Sequence, residues 1–98
     1  MIKQQQYTKD QYHKMYMSAM LMDNFQAAAE VLDHQEFYGN TVEVFKGRKV
    51  PIGTKGVVVA VVRKSFCGPW DYFTSVCIKT DCGETYWTNK ENVKKLKK

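Results

Sequence analysis

The chain has 98 residues, 44% apolar and 26% charged, the balance of a globular rather than a disordered protein, and its length bounds it to one core, or one core with an extension. Its formal net charge of +5 is unevenly spread: residues 1–40 hold three basic and five acidic side chains, and residues 41–98 hold twelve basic and five acidic ones. The first part is therefore net −2 and the second net +7, which directs polyanions or an acidic protein face to the second.

The N-terminal residues, Met1 to Gln6, have no apolar signal core. The longest apolar run that follows, Met15 to Met22, contains Ser18 and is far short of the ~20 residues a bilayer requires. A cytoplasmic protein without a membrane partner is expected. Three cysteines, Cys67, Cys77 and Cys82, an odd number without a Cys-x-x-Cys pair, read as reduced thiols. Tetrahedral metal sites usually show paired ligands at short spacing, so neither a metal nor another cofactor is expected.

Thr8-Lys9-Asp10-Gln11 has the form of a helix capping box, and Tyr12, Met15, Tyr16, Ala19 and Met20 follow at helical spacing as a packing stripe. A second start signal lies at Asp23 with Gln26 three residues on, and Phe25, Ala28, Ala29 and Leu32 continue the period. Residues 8–36 read equally as one long helix or as a hairpin bending at Asp23-Asn24. Gly39-Asn40 ends this helical segment, residues 1–40, and the remainder, residues 41–98, forms a β unit.

From Thr41 the period becomes two. Thr41 to Phe45 alternates; Lys46 to Gly53 is a loop punctuated by Gly and Pro. Gly56 to Val62 is a strand apolar on both faces, with Val57, Val59 and Val61 on one and Val58, Ala60 and Val62 on the other. It needs cover on both, and the helical segment is the expected cover for the second. Arg63 to Asp71 reads as a loop and Tyr72 to Thr80 as a strand. Asp81 to Glu84 is a tight turn, Thr85 to Thr88 a fourth strand, Asn89 to Asn92 a one-turn connector and Val93 to Leu96 a closing strand. The expected fold is α+β: an N-terminal helix or helical hairpin packed on a five-stranded barrel, closure removing most exposed edge.

The most specific stretch runs from Val42 to Val58, VEVFKGRKVPIGTKGVV. It sets Gly47, Gly53 and Gly56 between an alternating strand and a valine strand. A sharp reversal explains it: Gly53 and Gly56 permit conformations and approaches that a Cβ forbids, and Pro51 pre-sets its φ. This stretch resembles the KOW motif of SH3-like barrels in ribosomal proteins and transcription elongation factors. With the later Tyr86-Trp87-Thr88 it is similar to small uncharacterised KOW-like proteins, many from bacteriophages. The resemblance covers residues 41–65 well and the later strands loosely, and the Val50-Pro51 insertion widens the usual turn. It implies a binding module.

Two partner classes follow. For nucleic acid, Lys46, Arg48, Lys49 and Lys55, with Arg63 and Lys64 beyond the second strand, are expected to converge at one end of the barrel and meet phosphates. Trp70, Tyr72 and Trp87, interleaved with them, would stack on bases where exposed. For protein binding, the same loops and aromatics would contact a host protein, as a modulator or inhibitor, and the helical segment would supply a contact or a homodimer seam. Catalysis is not expected. His13 and His34 both lie in the helical part, without a nucleophile–base pattern, a phosphate-binding Gly loop or a carboxylate pair. Asp33 and His34 are helix neighbours pointing to different faces, and an isolated histidine there reads as solvated.

Overall fold

A computed structural model describes residues 3–65 and 71–96. The capping box forms: the Thr8 hydroxyl accepts from the Gln11 N–H at 3.1 Å, and Gln11 Oε1 accepts from the Thr8 N–H at 2.9 Å, opening α1 (Lys9–Leu21). The helix stops at Met22. The Asp23 N–H bonds to Met20 O and the Asn24 N–H to Ala19 O, with Asp23 in the left-handed region at φ 55°. That is a Schellman-type stop with Asp where Gly is usual. Asn24, rather than Asp23, caps α2 (Phe25–Phe37), its side chain accepting from the Ala27 N–H. The helical segment is thus a hairpin.

α2 buries a different face from the one its apolar period suggests. Phe25 and Leu32 are 59% and 49% exposed, whereas Glu30, Asp33 and His34 are buried with Ala28, Val31 and Phe37. The reason is tertiary: α2 lies between α1 and the sheet, and its polar side chains have partners there.

The sheet contains β1 (Thr41–Val44), β2 (Lys55–Ser65), β3 (Tyr72–Lys79), β4 (Thr85–Asn89) and β5 (Val93–Lys95). All ladders are antiparallel, in the order β4-β3-β2-β1-β5. A one-turn 3₁₀ helix, Lys90–Asn92, joins the two end strands, and among the described residues no ladder pairs them directly. Val42, Val44, Val58, Val61, Val76, Ile78 and Val93 form the core, with Val50 from the β1–β2 loop and Phe37 from α2.

Strict alternation fails in β2. The register slips at Val59 between the pairs Val58–Ile78 and Ala60–Cys77. This β-bulge brings Val58 and Val61, expected on opposite faces, to the same core, while Val57 is 41% exposed. β2 also runs to Ser65, so Arg63 and Lys64 are strand residues rather than loop residues.

The helical segment covers β2 along its edge as well as through the core. β1 pairs only with Lys55, Gly56 and Val57. Beyond that, the Val58 N–H and C=O bond to Asn40 O and the Gly39 N–H. The Gln4 side-chain amide takes both the Val61 N–H, at 2.8 Å, and the Val61 C=O, at 3.1 Å. Glu30 Oε2 accepts from the Arg63 N–H at 3.0 Å. Backbone and side chains of residues 4–40 so stand in for a missing strand and satisfy an edge otherwise open to pairing.

Candidate functional site

One groove gathers cationic and aromatic side chains. Lys64 in β2 lies opposite Phe73 in β3, and Trp87 in β4 lies opposite Cys77. Alternation places Lys64, Phe73, Ser75, Cys77, Trp87 and Asn89 on the sheet face away from Val61, Thr74 and Val76. The β1–β2 loop brings Lys49 to the same place. Lys49, Lys64, Phe73, Ser75, Trp87, Thr88 and Asn89 line a groove of about 340 Å³. Lys64 Nζ sits 5.1 Å from the centre of the Trp87 ring, and Trp87 is 46% exposed. A cation over a tryptophan face is held by the ring quadrupole, weakly at such an exposed site.

The other sequence-predicted residues are more dispersed. Lys46 and Arg48 are exposed on the same loop as Lys49, Lys46 lying 5.9 Å from the Phe45 ring. Lys55 is exposed at the start of β2, about 30 Å of extended strand from Lys64. Tyr72 is exposed but in phase with the core-facing Thr74, Val76 and Ile78 of β3, so it lies on the opposite face from Trp87. Trp70 lies outside the described residues.

Arg63 is held between α2 and the sheet. Its Nε donates to Gln26 Oε1 and its Nη1 to Thr74 Oγ1 at 3.1 Å, and Nη1 lies 3.8 Å from Asp33 Oδ2. Thr74 donates to Asp33 Oδ2, and Lys90 Nζ donates to Asp33 Oδ1 at 2.9 Å. The Arg63 guanidinium carbon also lies 5.9 Å from the Tyr72 ring centre. Two acids of the helical part, Glu30 and Asp33, are therefore turned inward toward the sheet, and part of the charge contrast along the sequence is an internal ion network.

A second polar cluster was invisible in the sequence. His34, expected to be solvated, is 0% exposed. Its Nδ1 shares a 2.7 Å hydrogen bond with the Tyr12 hydroxyl, its ring stacks on Tyr38 at 4.4 Å, and Tyr7 meets it edge-on at 5.7 Å. Asp33 and His34 do point to different faces, but both faces are covered, one by the sheet and one by α1. His34 Nε2 has no hydrogen-bond partner among the described residues.

Burial lowers the His34 pKa from its ordinary 6.5, with Glu30 opposing, and burial raises the Tyr12 pKa. A histidine held neutral contributes full stability above the unfolded value. That contribution is lost as pH falls from 6.5 through its own lower value, because the unfolded chain takes up the proton first. The loss has a limiting slope of ~1.4 kcal/mol per pH unit, or several degrees in Tm. Between pH 7.5 and 5.5, Tm is expected to fall more for the parent than for His34→Gln, which has no proton to gain. Parallel pH profiles would refute this.

Among the described residues no group of three or more His, Cys, Asp or Glu side chains is placed to hold a metal ion, and no helix is long and apolar enough to cross a membrane. Comparison with protein-family models gives no match, and comparison with curated proteins and with solved structures gives none either.

Proposed function

We propose that this chain is a cytoplasmic, non-catalytic binding protein that associates with nucleic acid through basic residues of an SH3-like barrel of KOW type. The observation that carries the reading is the meeting of Lys49 from the β1–β2 loop and Lys64 from β2 beside the exposed Trp87 ring. Supporting it, the Val42–Val58 stretch that resembles the KOW motif spans β1, its loop and the start of β2. Lys46 and Arg48 add charge on the same loop. Such groups bind phosphates without choosing a sequence.

Reversing both groove charges, Lys49→Glu with Lys64→Glu, is expected to weaken oligonucleotide binding at least tenfold at low salt. Both side chains are exposed, so Tm should stay within about 2 °C. Fluorescence anisotropy at several salt concentrations measures this. The log–log salt slope of the parent should be steeper than that of the double variant by about 1.4 for single strands. Unchanged affinity and slope would refute the groove as the phosphate site.

A second reading, protein binding, is favoured by a separate observation. Leu21, Met22 and Phe25 at the turn of the hairpin are 81%, 79% and 59% exposed, an apolar cluster on the helical part of the chain. This surface would serve a host protein, as a phage-type modulator does, or a second copy of the chain. Absence of oligonucleotide binding at low salt would transfer the function to it.

A further inference from the structure

We infer that the groove takes single-stranded rather than duplex nucleic acid, with one unpaired base stacked on Trp87 in the place that Lys64 occupies in the free protein. This rests on the nucleic-acid reading above and goes beyond it, because phosphate contacts alone do not distinguish strands from duplexes.

Trp87 offers a half-exposed ring in the middle of β4, on a sheet strand rather than on a protruding loop. In a duplex both faces of an internal base are covered by its neighbours, so a ring of this kind has no base face to meet. In a single strand each base can turn out and stack. The groove flanks that ring with Lys64 on one element and Lys49 on another, cations placed to meet phosphates on the strand that carries the base. Ser75, Thr88 and Asn89 form a polar lining, with Asn89 Oδ1 held by the Glu91 N–H at 2.9 Å.

Relative strengths favour exchange at the ring. An exposed cation–π contact is worth a factor of about 2 to 5 in an equilibrium, whereas stacking of one base on an aromatic side chain is worth about 5 to 150. A base therefore displaces the Lys64 ammonium. The flexible lysine stem lets that charge move to an adjacent phosphate rather than be lost. Phe73, half-buried beside Lys64, bounds the groove on the β3 side.

The test uses the full chain with a labelled twelve-nucleotide oligothymidylate and a twelve-base-pair duplex, at one low salt concentration. The parent is expected to bind the single strand more tightly. Trp87→Ala should weaken single-strand binding about tenfold and leave duplex binding unchanged, while Trp87→Phe, which keeps an aromatic face, should recover most of the loss. With Trp70→Phe, Trp87 is the sole tryptophan, and its emission should be quenched by the oligothymidylate but not by the duplex. Salt-dependent binding that is indifferent to Trp87→Ala, or that leaves Trp87 emission unchanged, would overturn stacking and leave the phosphate reading standing. Failure of both ligands to bind would overturn the phosphate reading, and stacking with it. Circular dichroism of each variant keeps a misfolded protein from counting as a result.

Discussion

Asp33→Ala is expected to lower the unfolding free energy by about 3 kcal/mol. The Asp33 carboxylate holds one sheet-side partner on each oxygen, Thr74 on Oδ2 and Lys90 on Oδ1, and Arg63 Nη1 stands 3.8 Å from Oδ2. Removing it leaves the Lys90 ammonium and the Thr74 hydroxyl without their acceptor and takes the counter-charge from Arg63, which costs more than the intact network contributes over an apolar replacement. The low end of the range for broken buried pairs applies, because the Lys90 and Arg63 side chains keep 34% and 21% of their exposure and can rehydrate in part. Asp33→Asn should cost less, since one amide oxygen still accepts from Lys90. Denaturant unfolding of the three proteins, compared at equal m-values, measures it. A loss below about 1 kcal/mol for alanine would show that the network adds little to the attachment of α2.

Gly56→Ala should be comparably damaging for a steric reason. A Cβ at Gly56 would lie 2.5 Å from Ile78 Cγ2 and 2.5 Å from the Lys79 carbonyl oxygen. The isoleucine methyl can shift slightly, but the carbonyl cannot move without separating β2 from β3 at the Val57–Lys79 pair. The expected loss is about 3 kcal/mol, the upper end for overpacking, or on the order of 15 °C in Tm. Gly53 is an internal comparison: it has φ +96° but nothing within 4 Å of an added Cβ. Gly53→Ala should therefore cost only backbone strain, about 1 kcal/mol. Equal losses at the two positions would refute close strand approach as the reason for Gly56.

Both glycines were legible as special from their place in the Val42–Val58 stretch, though not which was steric and which conformational. Other features were legible because they depend on neighbours in sequence. The Thr8–Gln11 box, the alternation of Val42 with Val44 and of Val76 with Ile78, and the one-turn connector after Asn89 all form as their local residues dictate. The choice between one helix and a hairpin rested on the backbone conformation of one residue, which residue type left open. The left-handed Asp23 is uncommon for a residue other than glycine, and it moves the second cap to Asn24.

The candidate site was legible only in its ingredients. Lys49, Lys64 and Trp87 were marked by residue type, but their meeting depends on the path of the long β1–β2 loop and on β2 continuing to Ser65. Arg63 has the same residue type as a phosphate ligand, yet it is bound from α2 by Gln26 and from β3 by Thr74, with Asp33 alongside.

By itself the sequence determined element types, most strand phases, the first helix cap and the excess of positive charge beyond residue 40, since these follow from chain-local sterics, periodicity and composition. The tertiary structure alone decided which face of α2 is buried, the phase shift at Val59, the closing of the β2 edge by Gln4 and Glu30, and the burial of His34. The α2 face, the β2 edge and His34 depend on partners 22 to 57 residues away, and the phase shift on strand pairs 17 to 20 residues apart, whose proximity no local pattern encodes.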